Sequence, residues 1–160
     1  MMFAAIIYKQ ADKMLKIARV YAEEYSGCTK VKVGAIIERD NKILGIGANK
    51  AIPNLCRYRG CMRVEKYGEN SKLHRNPEDC RAIHSEIDAI CSSSESLVGA
   101  TIYITRYPCE ACARAIVAAG ITKVVYGREQ VISKETEKIL ENADIDVTHY
   151  IGYKEDDTIV

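Results

Sequence analysis

Apolar and polar residues recur along this chain with two different periods, and the periods divide it into helices and strands. From Lys9 to Tyr25, residues Met14, Leu15, Ala18, Tyr21, Ala22 and Tyr25 return three or four positions apart with charges between them. That spacing predicts an amphipathic helix with one face on the core, ended by Ser26-Gly27. Two apolar runs follow, Val31 to Glu38 and Lys42 to Ala48, on either side of Arg39-Asp40-Asn41. They predict a β-hairpin with a short polar turn. A helix is expected over Ile83 to Ser92, with Ile87, Ile90 and Cys91 facing the core, and a strand over Thr101 to Thr105. Cys109 to Ala119 reads as an alanine-rich helix closed by Gly120, able to pack closely on a sheet. Ile121 to Tyr126 predicts a strand ending at Gly127. Ser133 to Asn142 predicts a helix capped by Ser133, and Ile145 to Ile151 a last strand before a frayed tail from Lys154. Strands alternating with helices in this order argue for an α/β fold with a partly parallel sheet.

One segment has no clear period. Lys50 to Asp79 carries Pro53, Gly60, Gly68 and Pro77 and many charges. A structureless stretch near 30 residues is unusual in a compact domain unless it is functional, disordered or pinned internally. It holds Cys56, Cys61 and His74, with Cys80 just beyond. Those four side chains could close a structural zinc site, with Cys28 able to replace one of them. Ordinary reduced cysteines and an exposed histidine are the alternative.

Composition narrows the class. At 160 residues one domain is expected, the stretch near 50–80 being an insertion in it. The 48% of hydrophobic residues can build a core that needs no disulfides. Lys plus Arg is 23 against 22 for Asp plus Glu, a balance that argues against a dedicated nucleic-acid binder. Seven cysteines, an odd number, point to metal-bound or free thiols in a reducing compartment. Met1 to Ile7 is apolar but too short, and lacks the basic leader of a signal peptide. No apolar run approaches the ~20 residues needed to span a bilayer. The expected location is the cytoplasm, away from membranes.

The chemistry lies in His84-Ser85-Glu86 and, after 21 intervening residues, Pro108-Cys109-Glu110-Ala111-Cys112. H-x-E followed by P-C-x-x-C is the signature of zinc nucleobase deaminases. His84, Cys109 and Cys112 are the candidate ligands, three in number so that water can take the fourth position. Pro108 suits the first helical position, which would set both sulfurs at the positive end of a helix dipole, where thiolates are stabilised. Glu86 is the candidate general acid and base, since zinc lowers the pKa of its water towards neutrality and a carboxylate beside it can carry the proton. Each residue alone has a plainer explanation: a structural histidine, a buried thiol, a solvated acid. The full set in this order does not. Asn49 follows the second strand of the hairpin, where an amide offers donor and acceptor alike. Arg106 could meet a phosphate and Tyr107 could stack on a base; a surface charge and a core aromatic are the ordinary roles for these two.

With these residues in place the chain resembles the deoxycytidylate deaminases, a branch of the cytidine deaminase-like superfamily, from about Asp12 to Tyr150. The resemblance is carried by Cys28-x-x-x-x-Val33-Gly34-Ala35, Gly45-Ile46-Gly47-Ala48-Asn49 and the insertion from Cys56 to Cys61. Cys80-Arg81-Ala82-Ile83-His84-Ser85-Glu86, Pro108 to Ala113, Ala119-Gly120-Ile121 and Lys123-Val124-Val125-Tyr126 complete it. It implies a three-layer α/β/α fold with a five-stranded mixed sheet. It implies hydrolysis of dCMP to dUMP and ammonia at a catalytic zinc, in support of thymidylate synthesis. It also implies a homo-oligomer, commonly a hexamer, activated by dCTP and inhibited by dTTP. Asn49 would bind the sugar near its 3′-hydroxyl. Ser85, where the family has alanine, and Tyr107 would border the substrate, and Lys30, where arginine is common, would join Arg106 near the phosphate. Asp88 stands where the family has asparagine, and a carboxylate facing the nucleotide would repel a phosphate. That substitution keeps open a nucleoside or other pyrimidine as substrate. The same chemistry also serves adenosine in tRNA. A non-catalytic zinc-scaffolded binding module is a third reading, against which Glu86 speaks.

Overall fold

A computed structural model describes residues 2–28, 30–52, 56, 60–68, 79–128 and 133–153, with side chains from Tyr8 onwards. The elements are α1 (Met2–Tyr25), β1 (Gly34–Arg39), β2 (Lys42–Ala48), α2 (Met62–Tyr67) and α3 (Ser85–Ser92). They continue with β3 (Thr101–Arg106), α4 (Glu110–Ala118), β4 (Lys123–Arg128), α5 (Lys134–Asn142) and β5 (Asp146–His149). One five-stranded sheet runs in the order β2-β1-β3-β4-β5. β1 is antiparallel to β2 and β3, whereas β3, β4 and β5 are parallel.

The central strands are short apolar runs because both faces of the sheet are covered. Ile36, Tyr103 and Val125 point to one side and pack on Met14, Leu15 and Ala18 of α1. Ala35, Ile37, Ile102, Ile104, Val124 and Tyr126 point to the other, against Ala89 of α3, Ala113 and Ile116 of α4 and Leu140 of α5. Burying each large side chain of this kind contributes about 2 kcal/mol. The result is the expected three-layer α/β/α arrangement. Asp40 and Asn41 adopt positive φ (54° and 64°), the conformation that a two-residue hairpin turn requires and that these residues tolerate.

Several local expectations need correction. α1 begins at Met2, so the apolar start belongs to the helix, and Tyr25 at its far end is exposed with its ring 4.5 Å from that of Tyr21. The strand expected to stop at Gly127 runs to Arg128. Gly127 is not a turn residue; a Cβ there would lie 2.6 Å from the ring of Tyr153, so its bareness makes room for that ring. β5 is only four residues long, and Ile151 beyond it is exposed. Cys91 is exposed and Ile87 only half-buried, because the inner face of α3 is made of Ser85, Glu86 and Ala89. A Cβ on Gly47 of β2 would collide with the backbone of Ser85 and Ala89. Backbone approaches backbone there, so small residues take the inner positions and larger ones are displaced sideways. Within the aperiodic stretch a short helix, α2, forms without a buried residue. His74 and the tail from Lys154 lie outside the described residues. Among the described residues no helix is long and apolar enough to cross a membrane.

Candidate active site

β1 runs opposite to both β2 and β3, which sets the start of β1, the end of β2 and the end of β3 at one end of the sheet. α3 and α4 both present their N-termini there. His84 is the N-cap of α3, with extended backbone (φ −74°, ψ 151°), rather than a residue within the helix. Cys109 likewise caps α4 (φ −84°, ψ 171°). Pro108 therefore sits before the cap and not at the first helical position as expected. The Tyr107 N–H still bonds the Arg128 carbonyl at 3.0 Å, holding the chain in strand geometry until the turn at Pro108. Cys112, in the first turn of α4, is buried. Both sulfurs thus remain at the positive end of the helix.

His84 Nδ1 lies 3.4 Å from the sulfur of Cys109 and 3.4 Å from that of Cys112. All three ligand atoms fall within 4.8 Å of one another, and among the described residues they are the one such group. A tetrahedral zinc with bonds of 2.0–2.3 Å would separate nitrogen from sulfur by about 3.5 Å. The donor set therefore fits that metal in spacing and in chemistry. The Cys109 thiol is pushed down to about 4, first by the hydrogen bond from Cys112 and then by His84. His84 is raised to about 10, chiefly by Cys109 and then by Cys80. The Cys112 thiol is pushed up by sharing its hydrogen with Cys109 and by burial.

Glu86 is 4% exposed, and burial raises its carboxyl above the ordinary range. A carboxyl poised to hold a proton beside a metal-ligand set has the character of an acid–base catalyst. The fully buried Ser85 hydroxyl donates to Glu86 Oε2 at 3.0 Å, which fixes the carboxyl's orientation.

His84, Ser85, Glu86 and Cys109 line a cavity of about 400 Å³, the size of a small-molecule site, while Cys112 is buried and not part of its wall. Asn49, Ser85, Tyr107, Lys30 and Arg106 border it. The Asn49 amide oxygen accepts from Ser26 Oγ (2.7 Å) and the Val33 N–H (2.8 Å), and its nitrogen donates to the Val31 carbonyl (2.7 Å). Tyr107 is buried, edge-on to Tyr126 at 4.9 Å, so it is at once core aromatic and cavity wall. Cys28, Cys61 and Cys80 border the same cavity, whereas Cys56 does not.

Sequence reasoning missed Arg63 from α2, and missed Glu110, Ser133 and Thr136 as wall residues. Ser133 was legible as a cap, and its hydroxyl accepts from the Glu135 N–H at 3.2 Å. The same hydroxyl donates to Glu110 at 2.7 Å, joining α5 to α4. Arg63 and Thr136 carry no local signal, since each is brought in by its helix.

Asp88 overturns its expectation. It is not part of the cavity wall; its carboxylate accepts from the Ala48 N–H at 3.1 Å and pairs with Lys50 Nζ at 2.8 Å. The feared phosphate repulsion falls away, because the charge is neutralised and turned towards β2.

A mixed five-stranded sheet whose metal-ligand set sits on two helix N-termini, with a buried carboxyl beside it, is the deaminase arrangement of the cytidine deaminase-like class. The model of the MafB19-like deaminase family matches residues 9–148. The deoxycytidylate deaminase of Mycobacterium phage D29 is 35% identical over 68% of this chain and 87% of its own. The Saccharomyces cerevisiae deoxycytidylate deaminase is 33% identical over 91% of this chain, which spans 46% of that longer protein. The dCMP deaminase of cyanophage S-TIM5, solved in complex with dCMP and dUMP, superposes with a TM-score of 0.68 at 27% identity. That match covers 88% of this chain and 96% of the other. The chain belongs to the deoxycytidylate deaminase family.

Proposed function

We propose that this protein hydrolyses dCMP to dUMP and ammonia, supplying dUMP for thymidylate synthesis. The observation that carries the reading is the buried Glu86 carboxyl next to the group formed by His84, Cys109 and Cys112, at a cavity walled by Glu86, His84, Cys109, Lys30, Arg63 and Arg106. His84, Cys109 and Cys112 would hold the zinc, which would polarise and acidify water. Glu86 takes the proton of the water that attacks C4 of cytosine. It delivers that proton to the ring nitrogen, takes the second proton from the hydroxyl now bonded to C4 and passes it to the amino group; the C4–N bond breaks as the C4 carbonyl forms, so water is consumed and ammonia released. Ser85 keeps Glu86 turned to the water. Asn49 holds the sugar, Tyr107 walls the base, and Lys30 and Arg106, with Arg63, face the phosphate.

The test is ammonia release from dCMP, CMP, dCTP, deoxycytidine, cytosine and an adenosine-containing RNA hairpin, with zinc measured on the same sample. Preference for dCMP is expected. Preference for deoxycytidine would keep the chemistry and overturn the phosphate assignment; turnover of the hairpin alone would overturn the substrate class.

The reading extends to a single cytoplasmic domain with a second, structural zinc on Cys56, Cys61, His74 and Cys80. Cys28 is the alternate for one of these four. Wild type then carries two zincs per chain and Cys61→Ala one. It extends also to a hexamer responsive to dCTP and dTTP, which sedimentation with either nucleotide tests.

A further inference from the structure

The two sequence neighbours of Asn49 are tied to α3 and to the residue that precedes His84. The Asp88 N–H bonds the His84 carbonyl at 3.0 Å, so Asp88 lies one helical turn beyond the metal ligand. Its two carboxylate oxygens reach the two neighbours of Asn49: the Ala48 N–H at 3.1 Å and Lys50 Nζ at 2.8 Å. The Lys50 and Ile83 backbones exchange a pair of 2.9 Å hydrogen bonds immediately before His84. Asn49 itself turns the other way and bonds Ser26, Val31 and Val33.

β2 is an edge strand, and side chains of α3 take the place of a missing neighbour. Ser92 Oγ accepts the Ile46 N–H at 3.0 Å as Asp88 accepts that of Ala48. The two caps differ in consequence. Ser92 ends a strand N–H remote from the cavity. Asp88 fixes the residue on each side of an amide that borders the cavity, and it does so from the helix whose N-cap is His84.

We propose that Asp88 is a positioning residue for Asn49, setting the distance between the sugar-binding amide and the metal centre by clamping Ala48 and Lys50 to α3. The proposal rests on the assignment of Asn49 to the sugar 3′-hydroxyl. Asp88 touches no substrate. Its carboxylate is 14% exposed whereas the Lys50 side chain is 45% exposed, so the bond to the Ala48 N–H is the sheltered arm of the clamp and the ion pair the solvent-screened one. An acceptor oxygen at this position is what the backbone N–H requires, and the negative charge is secondary.

The experiment compares kcat and KM for dCMP and for 2′,3′-dideoxycytidine 5′-monophosphate in the zinc-loaded protein. Wild type should prefer dCMP, since a site built to bond a hydroxyl discriminates against its absence. Asp88→Ala should lose about tenfold of that preference, the loss appearing in KM for dCMP while kcat stays within about twofold. Asp88→Asn, which keeps an oxygen for the Ala48 N–H, should restore it, and Ser92→Ala should leave it unchanged. Should Asp88→Ala not fold, Asp88→Gln moves the oxygen by one carbon and reads the same loss. Full retention of the preference in Asp88→Ala, with a melting temperature lowered as in Ser92→Ala, would reduce Asp88 to an edge cap and overturn the proposal. A fall in kcat at unchanged KM would overturn it too, placing the effect at the metal centre. A wild type that does not discriminate would remove the assignment of Asn49, and the proposal with it.

Discussion

The two walls of the cavity are held together by different forces. On the side of α3 and α4, every functional group stands on an element packed into the core. Ser85 and Ala89 lie against β2, and Ala113 and Ile116 are fully buried on the sheet. On the side of α2, which contributes Arg63, none of the helix's residues is buried. That wall is held by polar contacts: Lys66 to Asp79 at 2.9 Å, Tyr67 to Asp79 at 2.7 Å and Arg81 to Glu65 at 3.4 Å. Close packing admits few alternative positions, whereas a pair of part-exposed side chains such as Arg81 and Glu65 contributes little stability and is weakened by salt; Asp79, 3% exposed, is the one buried anchor of these contacts. The chemistry is thus placed on the stiff wall. The wall that can adjust carries charge, which acts over longer distances and tolerates small displacements.

Substitutions on each side separate the two kinds of wall. The largest effect is expected from Cys112→Ala: loss of one zinc equivalent and of essentially all turnover, read by metal analysis and ammonia release. Metal content at the wild-type level would show that the ligand assignment is wrong. Glu86→Gln should keep the zinc and lose about 10²- to 10⁴-fold in kcat, since only proton transfer is removed. Unchanged turnover would eliminate Glu86 as the proton carrier. Gly47→Val probes the stiffness itself, because its side chain has to enter the backbone of α3. A loss of about 1–3 kcal/mol in a denaturant melt is expected, together with reduced activity. A variant as stable and active as wild type would mean that α3 moves freely on β2.

The smallest effect should come from Asp79→Asn. Hydrogen bonds from Lys66, first, and Tyr67 hold the Asp79 carboxyl below its ordinary value of 3.8. A group whose pKa is lowered by folding stabilises the native state above its unfolded pKa and ceases to do so as the pH falls through the folded one. Wild type should therefore melt slightly higher than the variant near neutrality, and the difference should vanish between about pH 4 and lower values. A difference that persists in acid would assign it to packing, and the contrast between the walls would weaken.

The candidate ligands and Glu86 stood out as a group because the chemistry proposed for them depends on close spacing along the chain. Two residues separate Cys109 from Cys112 in the first turn of one helix, and Glu86 follows His84 by two positions. The helices and strands were legible for the same reason, since periods of 3.6 and 2 are local properties. Boundaries went astray where a distant group intervened. Gly127 reads as a turn until Tyr153 is seen to lie over it, and Cys91 reads as core until Gly47 draws Ala89 inwards instead.

By itself, then, the sequence determined the alternation of elements and picked out the candidate metal-ligand set and the acid beside it, because each depends on neighbours within a turn or a strand. Tertiary structure alone decided that residues 25 positions apart meet at 3.4 Å, that Arg63 and Thr136 reach the same cavity, and that Asp88 turns its charge to Lys50 and away from the nucleotide. The physical reason is that a side chain's direction follows from the packing of its whole element. Asp88 lies one turn beyond His84 on a helix pressed against two glycines of β2, and only that contact tells which way it points.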